Sequence, residues 1–196
     1  LALWASKLVG RPVKWIADRS ESFQSDAQGR DNVTDVALAL NEAGKFLALR
    51  VRTLFNLGAY LMQAGPNPGV VNLGTLAGVY TTPVISVDVT GLFSNTNPTR
   101  PYRGAGRPEA AYVIERIIDI AAGKLGIDPV ELRRRNTITP ASMPFQTGLT
   151  FTYDCGAFEA NMDMALDLAG LSGFEDRRCQ SASRGRLRGI GTEGLS

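Results

Sequence analysis

From Thr53 to Val87 the chain carries no charged residue, 35 consecutive positions in a sequence of which 20% is Asp, Glu, Lys or Arg. Pro66, Pro68 and Pro83, together with Gly58, Gly65, Gly69, Gly74 and Gly78, break any single helix through it. A segment this apolar does not stay disordered. Two readings remain open: a buried connection packed beneath other elements, or the wall of an apolar pocket. Long connections inside compact domains tend to be functional, so the choice bears on what the chain does.

The flanks supply regular structure. Residues 1–9 read as a helix end closed by Gly10, and Pro12–Ala17 as a short strand; the polar stretch Arg19–Asp31 reads as a surface loop. Val36, Leu38 and Leu40 alternate with small or polar residues, Asn41–Lys45 turns the chain, and Leu47, Leu49, Val51, Thr53 and Phe55 alternate again. That pattern predicts a β-hairpin. Val84–Phe93 predicts a further strand. Ala110, Val113, Ile114, Ile117, Ile118, Ala121 and Leu125 recur at helical spacing, with Pro108 in the first turn and Gly126 after the last. Asp128-Pro129-Val130-Glu131 has the form of a capped helix start. Arg133, Arg134 and Arg135 fall in the last turn of that helix, where its dipole favours cations, and read as structural rather than as a binding patch. A third amphipathic helix uses Phe158, Met162, Ala165, Leu166 and Ala169. Asp176–Arg188 is polar and basic, a linker, and Arg188–Gly191 resembles the start of a strand. The expected class is α+β: a mixed sheet with a β-hairpin and packed helices.

Composition removes several functions. A net charge of +2 is too small for an electrostatic nucleic-acid footprint. No apolar run reaches 18 residues, so no membrane span is expected. The opening Leu1-Ala2-Leu3-Trp4 lacks a Met and a basic flank, so no signal peptide is expected, and both ends read as cuts in a longer protein. Cys155 and Cys179 do not make a disulfide framework; they read as free thiols of a reducing, cytoplasmic compartment. There is no His, so Ser-His-Asp, Cys-His and His–zinc chemistry cannot be assembled from these residues. Chemistry must come from carboxylates, arginines, backbone groups or a bound cofactor.

The densest candidate is Pro101-Tyr102-Arg103-Gly104-Ala105-Gly106-Arg107-Pro108, directly before the strongest helix. Such a turn offers backbone N–H groups and fixed cations at a helix N-terminus, where proteins hold anions. Arg103, inside the turn, is the better ligand, its planar fork suiting phosphate-like oxyanions; Arg107 is expected to salt-bridge on the surface. On these residues alone, a tight strand-to-helix turn, a scaffold with structural arginines, and a small nucleotide- or phosphate-binding α/β module using Arg103–Arg107 all stay open.

The ordered series Gly10–Trp15, Asp18-Arg19-Ser20-Glu21, Asn56-Leu57-Gly58-Ala59-Tyr60, Pro101–Glu109, Leu132-Arg133-Arg134-Arg135-Asn136 and Tyr153-Asp154-Cys155-Gly156 closely resembles the molybdopterin-binding large subunit of the xanthine dehydrogenase / aldehyde oxidase / carbon monoxide dehydrogenase family of molybdenum hydroxylases. The resemblance runs along essentially the whole chain. It implies an internal fragment: residues 1–172 as part of the first molybdopterin-binding domain, truncated at its N-terminus, and 173–196 as a basic linker into the next segment. It further implies a molybdenum–molybdopterin cofactor, often the cytosine dinucleotide form in bacteria, and hydroxylation of a carbon with oxygen from water, with a glutamate as base. Electrons would leave through [2Fe–2S] clusters and FAD on partner subunits or domains, in a dimer of heterotrimers acting on a small molecule. Tyr102, Arg103, Gly104 and Ala105 inherit the turn beside the cofactor. The family's Gly-Phe-Gly-Gly loop would precede Leu1 and its catalytic glutamate would follow Ser196, so no catalytic residue is expected within these 196 residues.

Two departures narrow the branch implied. Carbon monoxide oxidising members carry a copper-bridging Cys directly after the Arg, where this chain has Gly104. Purine-oxidising members stack a Phe of this turn on substrate, where this chain has Ala105, and use an Arg in a segment that is charge-free here. An aldehyde or a less polar N-heterocycle suits these residues better. Cys155, where relatives often have Ser, is given no role.

Overall fold

The computed structural model describes residues 1–71 and 73–191. Its central feature is a three-stranded mixed sheet in the order β1–β2–β3. β1 (Asn32–Leu40) and β2 (Phe46–Gly58) form the antiparallel hairpin that the alternation predicts, while β3 (Val84–Phe93) lies parallel to β2 on its other side. A parallel neighbour cannot be reached through a tight turn; it needs a crossover of about a dozen residues or more. Residues 59–83 are that crossover.

This topology explains the missing charges of residues 74–80. The crossover carries the short helix α3 (Asn67–Val70) and a 3-10 helix, Leu73–Ala77, which packs beneath the long helix α4 (Arg107–Leu125). Leu76, Ala77, Val79 and Tyr80 are buried there. A charge in this layer would have to be desolvated at a cost of several kcal/mol. Of the two readings of the 53–87 segment, the buried connection describes residues 74–80, whereas Tyr60, Leu61, Val70 and Val71 are exposed apolar surface. Tyr80 closes the layer edge-to-face on Phe46, with ring centroids 5.7 Å apart.

The inner face of the sheet contributes Leu49, Val51 and Phe55, and α4 contributes Ala110, Ile114, Ile118, Ala121 and Ala122. Each large apolar side chain buried here contributes about 1.5–3 kcal/mol. α5 (Pro129–Asn136) follows Gly126, whose left-handed φ of 66° ends α4. Asp128 caps α5 by accepting from the Glu131 N–H at 2.9 Å, as its sequence predicts. A two-stranded ribbon, β4 (Phe145–Gln146) with β5 (Thr152–Tyr153), and α6 (Phe158–Ala169) complete the middle of the chain. α1 (Ala2–Val9), ended by Gly10 at φ 67°, opens it.

The Arg133–Arg135 run is structural, as expected, but the reason goes beyond the helix dipole, and Asn136 joins it. Arg133 is fully buried, and its Nε donates to Glu115 of α4 at 2.8 Å while Nη1 pairs with Asp119 at 2.9 Å. Tyr80 donates to the same Glu115 carboxylate at 2.9 Å. Burial, and next the Glu115 charge, push the Tyr80 hydroxyl pKa well up, so it stays a donor. Arg134 spans to Glu159 and Asp163 of α6, and Arg135 to Glu131 and the Ala43 carbonyl of the hairpin loop. Buried Asn136 accepts from the Phe46 N–H at 2.8 Å and donates to the Gly44 carbonyl at 2.9 Å. Four consecutive residues thus fasten α5 to α4, α6 and the hairpin.

Four expectations need correction. Pro12–Ala17 is not a strand: among the described residues no strand lies beside it, and without a partner its backbone has no ladder to join. Part of the Arg19–Asp31 loop is helical, α2 (Arg19–Ser25), because Asp18 and Glu21 form a reciprocal capping box. Part of the Asp176–Arg188 linker is also helical: α7 (Phe174–Ala182) is a polar helix with a Glu175–Arg178 pair one turn apart. Residues 188–191 form no strand, and 192–196 lie outside the described residues. Among the described residues no helix is long and apolar enough to cross a membrane.

Candidate functional site

The Pro101–Pro108 turn sits beyond the carboxyl ends of the parallel pair β2 and β3, where open sheets commonly place ligands. After Phe93 the chain doubles back along the end of β2. The Ser94 N–H meets the Gly58 carbonyl at 3.0 Å, and the Ala59 N–H meets the Thr96 carbonyl at 2.9 Å. Asn56 organises this corner. Its amide nitrogen donates to Asp31 at 2.6 Å and Thr96 at 2.8 Å, and its amide oxygen accepts from the Gly58 N–H and the Ser94 hydroxyl, both at 2.8 Å. Gly58 is required here: its φ is 78°, and a Cβ would lie 2.4 Å from the Asn97 carbonyl oxygen.

A second segment clamps the approach to the turn. The Gln28 N–H donates to Pro98 at 3.0 Å and the Arg100 N–H donates to Gln28 at 2.9 Å, so residues 28–30 run beside 98–100 as a short parallel bridge. Gly29 lies tight against Tyr102; a Cβ there would be 3.0 Å from the Tyr102 Cβ.

The turn is held by its own backbone. The Ala105 N–H donates to Tyr102 at 2.7 Å and the Arg107 N–H to Gly104 at 3.1 Å. Gly104, Ala105 and Gly106 have φ of 89°, 44° and 96°. For Ala105 this left-handed conformation costs roughly 1–2 kcal/mol, strain of the kind that collects at functional sites. Gly104 has no room for a side chain, since a Cβ would lie 2.7 Å from the Pro108 Cδ. Among the described residues no acceptor meets the N–H of Arg103, Gly104 or Gly106. Those donors stand at the positive end of α4, a helix of 19 residues.

The four residues singled out from the sequence, Tyr102, Arg103, Gly104 and Ala105, therefore form one strained turn with available donors. Tyr102 and Arg103 are exposed. Arg107 is exposed as well, but the salt bridge expected of it is not found: among the described residues neither Arg103 nor Arg107 has a carboxylate within ion-pair distance. Gly104 and Ala105 expose the backbone to close approach, which suits a bulky anionic group. Backbone N–H donors and a guanidinium suit an anion; among the described residues no cluster of His, Cys, Asp or Glu is arranged to hold a metal ion directly.

Tyr153-Asp154-Cys155-Gly156 is not drawn to this turn. Tyr153 donates to the Gly78 carbonyl at 2.9 Å and packs edge-on against Phe158. Cys155 is exposed, and hydrogen bonding to Asp154 raises its thiol pKa, the opposite of what an activated nucleophile needs. Cys179 is exposed and also free.

Sequence reasoning misses Arg30. Its Nη2 donates to the Arg103 carbonyl, its Cζ lies 5.0 Å from the centroid of the Tyr102 ring, and its Nε lies 3.9 Å from Glu109 in the first turn of α4. Arg30 itself has φ 59°, and the Glu109 Oε2 is buried without a hydrogen-bond partner. The only sequence signal is a Gly-Arg pair closing the polar stretch before β1.

Comparison with known proteins fits this geometry. Residues 1–137 match the model of the molybdopterin cofactor-binding domain. The chain is 32% identical over 196 residues to the 6-hydroxypseudooxynicotine dehydrogenase complex subunit gamma of Paenarthrobacter nicotinovorans, covering 97% of this chain and 25% of that protein. It is 34% identical over 203 residues to the carbon monoxide dehydrogenase large chain of Afipia carboxidovorans, covering 100% of this chain and 25% of that one. The crystal structure of quinoline 2-oxidoreductase from Pseudomonas putida 86 superimposes with a TM-score of 0.83 at 32% identity, over 93% of this chain and 23% of that chain. The chain thus spans about a quarter of the length of these relatives, two of which are named as subunits or chains of larger assemblies. With the family match, the sequence identity and the α+β fold all agreeing, the chain belongs to the molybdopterin cofactor-binding domain family of the molybdenum hydroxylases.

Proposed function

We propose that this chain is the part of a catalytic large subunit that presents the 102–105 turn to a molybdenum–molybdopterin cofactor, in an oxidoreductase that hydroxylates an aldehyde or N-heterocycle with oxygen from water. The observation that carries this reading is the turn itself: three backbone N–H groups that meet no acceptor among the described residues, and the Arg103 cation, gathered at the N-terminus of α4. The bound cofactor supplies the two-electron chemistry at its metal. The protein's share is placement. The Arg103 and Gly104 N–H groups and the Arg103 guanidinium would donate to anionic oxygens of the cofactor, and would offset negative charge that builds up beside the metal during reaction. Gly104 and Ala105 keep the backbone close to it, and Tyr102 forms the neighbouring wall.

The filled space over Gly104 favours the non-copper branch, since a Cys side chain there would collide with Pro108. Residues 1–172 would belong to the cofactor-binding domain, with 173–196 leading out of it. Partner subunits would carry [2Fe–2S] clusters and FAD, in a cytoplasmic dimer of heterotrimers, with the cofactor in its cytosine dinucleotide form. The test is the metal and pterin content of the purified native-length subunit. Near-stoichiometric molybdenum and pterin are expected, with a large loss in Arg103→Ala; neither metal nor pterin in active material would overturn the reading.

A further inference from the structure

We infer that Arg30 is a positioning residue that sets the conformation of the 102–107 turn before any cofactor arrives. The inference rests on reading that turn as the cofactor-facing element. Arg30 reaches the turn from 73 positions away in sequence and engages it three times: a hydrogen bond to the Arg103 carbonyl, the Tyr102 ring at 5.0 Å, and the Glu109 carboxylate at 3.9 Å. Each contact fixes something different. Binding the Arg103 carbonyl orients the peptide plane between Arg103 and Gly104, so the Gly104 N–H on that plane is directed to the opposite side. Lying over the ring holds Tyr102 against Gly29, where the chains are already in close contact. The Glu109 carboxylate ties the same guanidinium to the first turn of α4, on the far side of the strained Ala105. A planar fork can serve a carbonyl, a ring and a carboxylate together; an ammonium cannot.

The backbone around Arg30 is arranged for this reach. The bridge between residues 28 and 99 sets the register, and the left-handed φ of 59° at Arg30 turns the chain there. A left-handed conformation at a non-glycine residue persists where surrounding contacts hold it, and the contacts available are those with the turn. Arg103 and Arg107 lack a carboxylate partner among the described residues, whereas Arg30, although its side chain is 39% exposed, has Glu109 and the Arg103 carbonyl as partners. The cations of this corner therefore divide into one that shapes the turn and others that face outward.

Hydrogen exchange on the full-length subunit tests this in cofactor-free and loaded forms. The Ala105 and Arg107 N–H groups report the turn directly, because both are bonded across it. In cofactor-free Arg30→Ala their exchange is expected to rise roughly tenfold or more, as loss of a charge-assisted hydrogen bond predicts, while amides of Ile114–Ala121 keep the wild-type rate. Arg30→Lys should recover only part of the protection, and Glu109→Gln should give a smaller rise confined to the same amides. In the loaded enzyme, Arg30→Ala should lower kcat more than it raises KM. Unchanged exchange at 105 and 107 in Arg30→Ala would overturn the inference, and so would a uniform rise that includes α4. Absence of molybdenum and pterin from the wild-type subunit would sink the proposed function instead, without altering the exchange result.

Discussion

Two sets of arginines divide the labour of this chain. Arg133, Arg134 and Arg135 point into contacts: every one has a carboxylate partner, Arg133 and Arg134 have two each, and the Arg133 guanidinium is fully buried. Arg103 and Arg107 sit in a turn of similar local density, yet among the described residues they have no carboxylate within ion-pair distance. Sequence alone presents the first set as the more cationic. The structure shows that its charge is spent internally, while the sparser set keeps its charge available. Clustering of basic residues is therefore a poor guide to a binding site; whether acidic partners fold up against them decides it.

The sharpest way to break this contrast is Arg133→Met. It keeps an apolar stem and leaves Glu115 buried without its cation, which typically costs about 3–5 kcal/mol, read as a large fall in the unfolding midpoint of the purified subunit. Asn136→Ala comes next. It strands the Phe46 N–H and the Gly44 carbonyl in a buried site, for a loss of about 1–3 kcal/mol for each group left without a partner, measurable by denaturant titration. Arg103→Ala should do the reverse: stability within about 0.5 kcal/mol of wild type, but a marked loss of bound molybdenum and pterin. If Arg103→Ala destabilised the fold as strongly as Arg133→Met, the two sets would not differ in kind. The smallest effect lies with Asp163. Arg134 hydrogen-bonds it and lowers its carboxyl pKa below the ordinary 3.8. The stabilisation from this pair is thus fully present above that value and is lost as pH falls through the depressed folded-state pKa. Asp163→Asn should lie slightly below wild type in stability at neutral pH and converge with it in strong acid; a gap that widened in acid would contradict this assignment.

Much of the scaffold is legible in the sequence because its signals are local. Alternation at Val36–Leu40 and Leu47–Phe55, the apolar stripe of α4, and the Asp128 cap each need only a few neighbouring residues to recognise. The Asp18–Glu21 box was equally local, yet the polar composition around it masked a helix. Pro12–Ala17 shows the opposite limit: a β-like composition names no partner, and here none is beside it. The parallel placement of β3 could not be read, since residues 84–93 look the same whichever way they pair. The candidate site was legible as a turn before a helix. Its strain at Ala105 is a backbone conformation that the residue type does not announce, and its contact with Arg30 joins residues 73 positions apart, which no window of sequence contains.

The charge-free crossover has a consequence during synthesis. β2 emerges before its parallel partner, and residues 74–80 must wait for β3 and α4 to cover them. For that interval the nascent chain displays a crossover without one repelling charge, next to a strand with an open edge. Such a segment has no gatekeeper against self-association. The burial that makes the finished domain firm thus makes its biogenesis a race, in which the arrival of α4 both shields the crossover and first brings the 102–107 turn into being.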